Sequence, residues 1–208
     1  MVDHGINPGS RILNRIEKDS AKEIGFFWNY FNLDNRNNPR NGIKCDYKYS
    51  LIFIDNEETN THRFASQFSL DYAKSLSQTI VIFSSLNLKN MQNKALKFYD
   101  LYTLGGTFTV RGFQEGFFSG NRIIWMNNEL RFLPDNDSRF FLFFDYAYAE
   151  DQRPEINTTF RNICGMGCGF RIPSRLGIIR MDYALHYYHS EWLHPMDGFI
   201  HLGLETLF

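Results

Sequence analysis

The feature that most constrains this chain is an alternation of side-chain character at every second position, the period of a β-strand rather than a helix. In residues 138–150 one face carries Phe140, Leu142, Phe144, Tyr146 and Tyr148, and the other Arg139, Phe141, Phe143, Asp145, Ala147 and Ala149. Residues 160–172 set Cys164, Met166, Cys168, Phe170 and Ile172 against Gly165, Gly167, Gly169 and Arg171. Residues 178–188 set Ile179, Met181, Tyr183, Leu185 and Tyr187 against Arg180, Asp182, Ala184 and His186. Residues 197–208 set Ile200, Leu202, Leu204, Thr206 and Phe208 against His201, Gly203 and Glu205. Runs at 24–33, 43–54, 63–76, 79–88 and 121–132 alternate less cleanly. Turn-rich stretches at 36–42, 55–62, 134–137, 173–177 and 190–196 separate many of these runs. About nine strands follow, in an all-β, antiparallel chain with one domain over 24–208 and an unassigned segment over 1–23.

The longest apolar runs, such as residues 140–144, are far short of the roughly 20 residues a transmembrane helix needs. A transmembrane β-barrel is permitted, because its strands are only about 10 residues long and alternate in polarity. A soluble sandwich would show the same alternation, its apolar face forming the core. Three features favour the barrel. Connections alternate between short and long, the longest spanning residues 91–120. Tyr146, Tyr148, Tyr187, Tyr188 and Trp192 cluster near strand ends, where a barrel carries an aromatic girdle. Glycines and charges share one face, which suits a lumen better than a dry core. The aromatic content of 17 %, including 21 Phe and 11 Tyr, fits a large β surface. A net charge of −1 argues against a general nucleic-acid binder.

Three cysteines make a poor disulfide framework. Cys164 and Cys168 on one strand would lie roughly 13 Å apart, too far to bridge. The start of the sequence shows no signal peptide, which is expected of a cytosolic protein or of a chain lacking its natural start. His186, His189, His194 and His201 lie near the last hairpin, but His186 and His189 differ in strand parity, so solvated loop and lumen histidines are expected rather than a metal site. No nucleophile elbow, phosphate loop or metal-binding helix motif occurs, and neither enzymatic activity nor a cofactor is expected.

The long connection contains Leu104-Gly105-Gly106-Thr107-Phe108-Thr109-Val110-Arg111-Gly112-Phe113. It resembles the inward-folding VRGF loop of the BamA/TamA superfamily, the bacterial surface antigen barrels. The resemblance continues in order through Asn128-Glu129-Leu130-Arg131-Phe132, then Phe143-Phe144-Asp145-Tyr146-Ala147, where Ala147 replaces the usual Gly. Next come the Gly165, Gly167, Gly169 strand and the 176–184 strand, and a final strand with Ile200, Leu202, Leu204 and Phe208 resembling the C-terminal signal strand of outer-membrane barrels. Asn35-Arg36-Asn37-Asn38-Pro39-Arg40-Asn41-Gly42 resembles a periplasmic turn. The likeness covers residues 24–208.

This resemblance implies the C-terminal part of a barrel of about 16 strands in the bacterial outer membrane, surrounded by lipid. The work implied is assembly, insertion or translocation of unfolded outer-membrane protein clients, with accessory proteins engaged through periplasmic POTRA domains that the sequence lacks. Arg111 would lock the loop against wall carboxylates, for which Glu129 and Asp145 are the candidates, through paired N–H···O bonds that Lys cannot reproduce. Gly112 would let the loop backbone approach the wall, and Gly165, Gly167 and Gly169 would clear space for the loop. Taken without the resemblance, Arg111 reads more readily as a solvated loop residue and Glu129 as an ordinary surface acid. The last strand would pair weakly with the first, giving a seam at which a client strand could add by β-augmentation. Two other readings stay open: a barrel that anchors or secretes a fused effector of the patatin-like lipase type, and a passive porin.

Overall fold

The computed structural model describes residues 20–55, 60–93, 96–153, 157–188 and 191–205. Its frame is one antiparallel meander. The strands β1 (Ser20–Leu33), β2 (Gly42–Asp55), β3 (Asn60–Ser75) and β4 (Ile80–Gln92) pair in sequence order. The chain then leaves the wall and returns as β7 (Arg122–Phe132), which pairs directly with β4. Next in the wall come β8 (Arg139–Asp151), β9 (Thr158–Ser174) and β10 (Gly177–Tyr188). The far edge of β10 takes both β11 (Glu191–Trp192) and β12 (Phe199–Glu205). Within the excursion, β5 (Tyr102–Leu104) and β6 (Phe118–Gly120) form a separate two-stranded hairpin.

Among the described residues nine long strands and the two-residue β11 build the wall, in keeping with the roughly nine strands the alternation led us to expect. The strands mostly begin or end a few residues from the sequence-based limits. β1 starts at Ser20, inside the segment left unassigned, and β12 is described only to Glu205. Among the described residues β1 and β12 do not pair, so the sheet is curved but not closed.

The alternation sorts side chains to two faces. Phe140, Leu142, Phe144 and Tyr146 of β8 are exposed on the convex face, whereas Phe141, Phe143, Asp145, Ala147 and Ala149 are buried on the concave one. Ile200, Leu202 and Leu204 of β12 also point outward, with Leu202 74 % exposed. An outer surface this apolar matches a lipid-facing barrel wall rather than a water-facing sheet. Phe208 and Thr206 of the terminal strand lie outside the described residues.

The β1–β2, β3–β4, β7–β8 and β9–β10 turns lie at one end of the wall, and the longest connection, β4–β7, leaves from the other, where the β2–β3 and β8–β9 connections are as short as the turns. The β1–β2 turn is held by Asp34, whose carboxylate accepts the backbone N–H groups of Arg40 at 2.8 Å and Asn41 at 3.0 Å. Asn38 Nδ2 donates to the carbonyl of Asn136 at 2.9 Å, and Arg139 Nη1 donates to the carbonyl of Asn37 at 2.8 Å. These bonds draw the β1–β2 turn to the β7–β8 turn across the concave side. The buried apolar core lies between the wall and the β4–β7 excursion. Leu104, Val110, Phe113 and Phe118 from the excursion pack with Ile123, Trp125, Ala147, Ala149 and Ile163 of the wall. Burying one such large side chain contributes about 1.5–3 kcal/mol.

Candidate functional site

The excursion turns back into the concavity at Gly105 and Gly106. Gly105 N–H donates to Thr109 Oγ1 at 2.8 Å, and the Thr109 hydroxyl donates to the Gly105 carbonyl at 2.9 Å, closing a tight loop. Val110, fully buried, anchors the following segment in the core. Next, Arg111 meets the wall. Its Nε donates to Asp145 Oδ2 at 2.8 Å and its Nη2 to Asp145 Oδ1 at 2.7 Å, a paired fork geometry. Nη1 donates to Glu129 Oε1 at 2.7 Å, and the Arg111 backbone N–H reaches Asp145 Oδ2 at 3.0 Å. The guanidinium also lies 3.7 Å from the ring centre of Phe143.

All three charged groups are deeply buried, Asp145 completely. Their burial is tolerable because each is paired, and removing one partner would strand a charge in a dry site. Burial by itself depresses the Arg111 pKa, but the hydrogen bonds and charges of Asp145 and Glu129 outweigh it and hold the guanidinium above its ordinary value. Glu129 is shared: its second oxygen accepts Arg131 Nε at 2.8 Å. The wall register explains the convergence. Glu129 and Asp145 sit on the adjacent strands β7 and β8, both on inward-facing positions.

Gly112 adopts φ +94°, a left-handed conformation natural only to glycine. A side chain there would also crowd the Leu185 carbonyl, 3.0 Å from the position of its Cβ. Phe113, 2 % exposed, stacks on His186 at 4.5 Å and meets Phe118 edge-on at 5.0 Å. Sequence reasoning missed two contacts here. His186 Nδ1 lies 2.7 Å from the Gly112 carbonyl, and Gly112 N–H donates to His201 Nε2 at 3.3 Å. Both backbone polar groups of Gly112 are thus held, its carbonyl from β10 and its N–H from β12. The only sequence signal was that both histidines fall on inward parity. Asn127 was missed as well; its Nδ2 donates to the Thr109 carbonyl at 2.6 Å.

The three wall glycines separate in role. A Cβ on Gly165 would collide with the Arg111 carbonyl, so this glycine does make room for the loop. The expectation for Gly167 and Gly169 needs correction. A side chain on Gly167 would strike the Tyr183 carbonyl and the Phe143 ring, and one on Gly169 the Asp182 carboxylate and the Phe141 ring. These two make room for other wall residues, including the buried Asp182, which binds Arg171 through Nη1 at 2.8 Å and Nη2 at 2.9 Å. Tyr188 is likewise not a girdle residue, since it packs inward against Phe113, Phe117 and Phe118. The three cysteines are free thiols. Among the described residues no group of His, Cys, Asp or Glu side chains converges as metal ligands would.

Residues 8–194 match the Omp85 superfamily domain. The chain belongs to the Omp85 superfamily. The match agrees with the resemblance carried by the loop and strand motifs. Among solved structures the chain is similar to BamA from Haemophilus ducreyi lacking POTRA domains 1–3, with 19 % identity and a TM-score of 0.70 over 86 % of this chain and 40 % of that one. This likeness shows a shared fold: the meander is the C-terminal part of an Omp85 barrel wall. CdiB from Acinetobacter baumannii matches over 84 % of this chain and 41 % of its own, with 13 % identity and a TM-score of 0.39. This Omp85 chain therefore spans about 40 % of the length of the solved structures it matches. No curated protein matches its sequence.

Proposed function

We propose that this Omp85 chain is part of an outer-membrane barrel that inserts or translocates other proteins, and that Arg111 locks its lumen loop to the wall for that work. The observation that carries the reading is the buried contact of a loop-borne arginine with Glu129 and Asp145 of two neighbouring strands. Family membership supports the location in the bacterial outer membrane. The mechanism is conformational and needs no covalent chemistry. The outer edge of β12, without a strand partner among the described residues, offers backbone groups to an incoming client strand, and the loop fixes the inner surface behind it. Clients are unfolded outer-membrane proteins, and accessory partners act through periplasmic domains.

The test is replacement of the full-length gene by one carrying Arg111→Ala. The expected outcome is defective assembly or export of outer-membrane proteins while the variant barrel still inserts with its strand content intact. Normal growth and normal outer-membrane protein levels would refute the proposal. Reconstitution in a planar bilayer separates the passive porin, which would give large and steady conductance. The plugged assembly barrel should conduct weakly and erratically.

A further inference from the structure

The last strand and the docked loop meet on the inner face of β12. Among the described residues β12 pairs only with β10, so one ladder holds it and its other edge is open. Ile200, Leu202 and Leu204 point outward, which leaves Phe199, His201 and Gly203 on the loop side. His201 Nε2 accepts the Gly112 N–H at 3.3 Å, one residue beyond the Arg111 lock. Gly112 is buried, so this N–H has no water to turn to if His201 moves away. The Phe199 ring lies 6.3 Å from that of His201 and 5.7 Å from that of His186, the residue on the Gly112 carbonyl. Gly203 lies across from Arg180 in the β10–β12 register, and a Cβ there would come within 3.0 Å of Arg180 Cγ. Arg180 in turn reaches the loop, with its guanidinium 4.4 Å from the ring centre of Phe108. Asp182, directly across from His201, is occupied on both oxygens by Arg171, which leaves the His201 ring to the loop.

We propose that His201 is a positioning residue that couples the loop lock to the terminal strand. A docked loop holds β12 against β10, and departure of β12 from that edge, as when a client strand enters there, frees the loop at Gly112. Such coupling is reciprocal, because each partner stabilises the placed state of the other by the same free energy. The inference rests on the reading of β12 as the edge that accepts clients, and adds to it the residue through which the edge and the loop sense one another.

The test is amide hydrogen exchange across the full-length protein in detergent. His201→Phe keeps a ring beside Phe199 but offers no acceptor. It should speed exchange at Gly112 and at the β12 amides bonded to β10 by roughly threefold to tenfold, the worth of one hydrogen bond. His201→Gln, whose side-chain oxygen can accept from Gly112, should restore most of that protection, which a space-filling role would not do. Asp145→Ala frees the loop from the opposite side and should also speed exchange in β12. Combined with His201→Phe it should add little there, since both changes break one linkage. The β2 and β3 amides, remote from the loop, should be unchanged throughout. Should His201→Phe fail to fold, the Asp145→Ala arm decides alone. Unchanged β12 exchange in His201→Phe, equal behaviour of the Phe and Gln variants, or a β12 that stays protected while Asp145→Ala releases residues 105–117 would overturn the proposal. The functional reading is judged separately by the growth of the Arg111→Ala strain, so either can fail while the other stands.

Discussion

The inner face of the wall is filled between β7 and β10 and open along β1. Across the first region Asp145, Ala147 and Ile163 have no exposure at all, because the excursion loop packs on them. On β1, Phe26 and Phe27 point to opposite faces, yet they are 59 % and 63 % exposed. Both regions are paired as antiparallel ladders, with one register irregularity at Ala147/Ala149 between β8 and β9, so a lack of backbone pairing is not what opens β1. The difference is a loop that brings its own apolar side chains and one cation to a wall already shaped for both. The wall's own buried clusters are small, Ala73, Val81 and Leu133 in one and Phe141, Phe143 and Ala184 in another, and the loop supplies the largest.

The largest expected effect comes from removing the wall's half of the lock. Asp145→Ala takes the acceptor from three Arg111 bonds and leaves the guanidinium buried with Glu129 alone. A loss of about 3–5 kcal/mol is expected, read as a lower denaturation midpoint in detergent together with protease cleavage inside residues 105–117. An intermediate effect is expected at Gly165. Gly165→Ala forces the Arg111 backbone away from β9 at a cost of about 1–3 kcal/mol. It should raise cleavage in the loop without altering strand content measured by circular dichroism. The smallest effect belongs to the open region. Glu23 and Lys48 pair at 2.8 Å between β1 and β2, both sides about half exposed. Glu23→Gln should shift stability by no more than about 0.5 kcal/mol. A shift as large as that of Asp145→Ala would erase the distinction between the two regions.

Much of this was legible in the sequence, for a physical reason. Strand parity is rigid, so once the 138–150 alternation is read, Asp145 and the apolar face must part. Arg111, Glu129 and Asp145 could be grouped because the loop resembles one whose arginine meets acids of the barrel wall, and strand parity offered two on neighbouring inward faces. What parity cannot supply is which object a side chain meets across the concavity. Gly165, Gly167 and Gly169 share one face and looked equivalent, but only Gly165 touches the loop, because φ and position at Gly112 bring the chain down opposite that residue alone. The clasp of His186 and His201 on Gly112 was illegible for the same reason. It depends on β12 returning to the edge of β10 with Asp182 opposite His201, a register set by pairing rather than by periodicity.

The most direct measurement is amide hydrogen exchange of residues 105–117 in the detergent-extracted protein. The loop has few ladder bonds, so an undocked loop would exchange like any surface connection. With Arg111 N–H on Asp145 and Gly112 N–H on His201, these amides should instead exchange nearly as slowly as those of β8, and Asp145→Ala should release them while β8 stays protected. Fast exchange of Arg111 and Gly112 in the unaltered protein would mean that the loop is not locked to the wall.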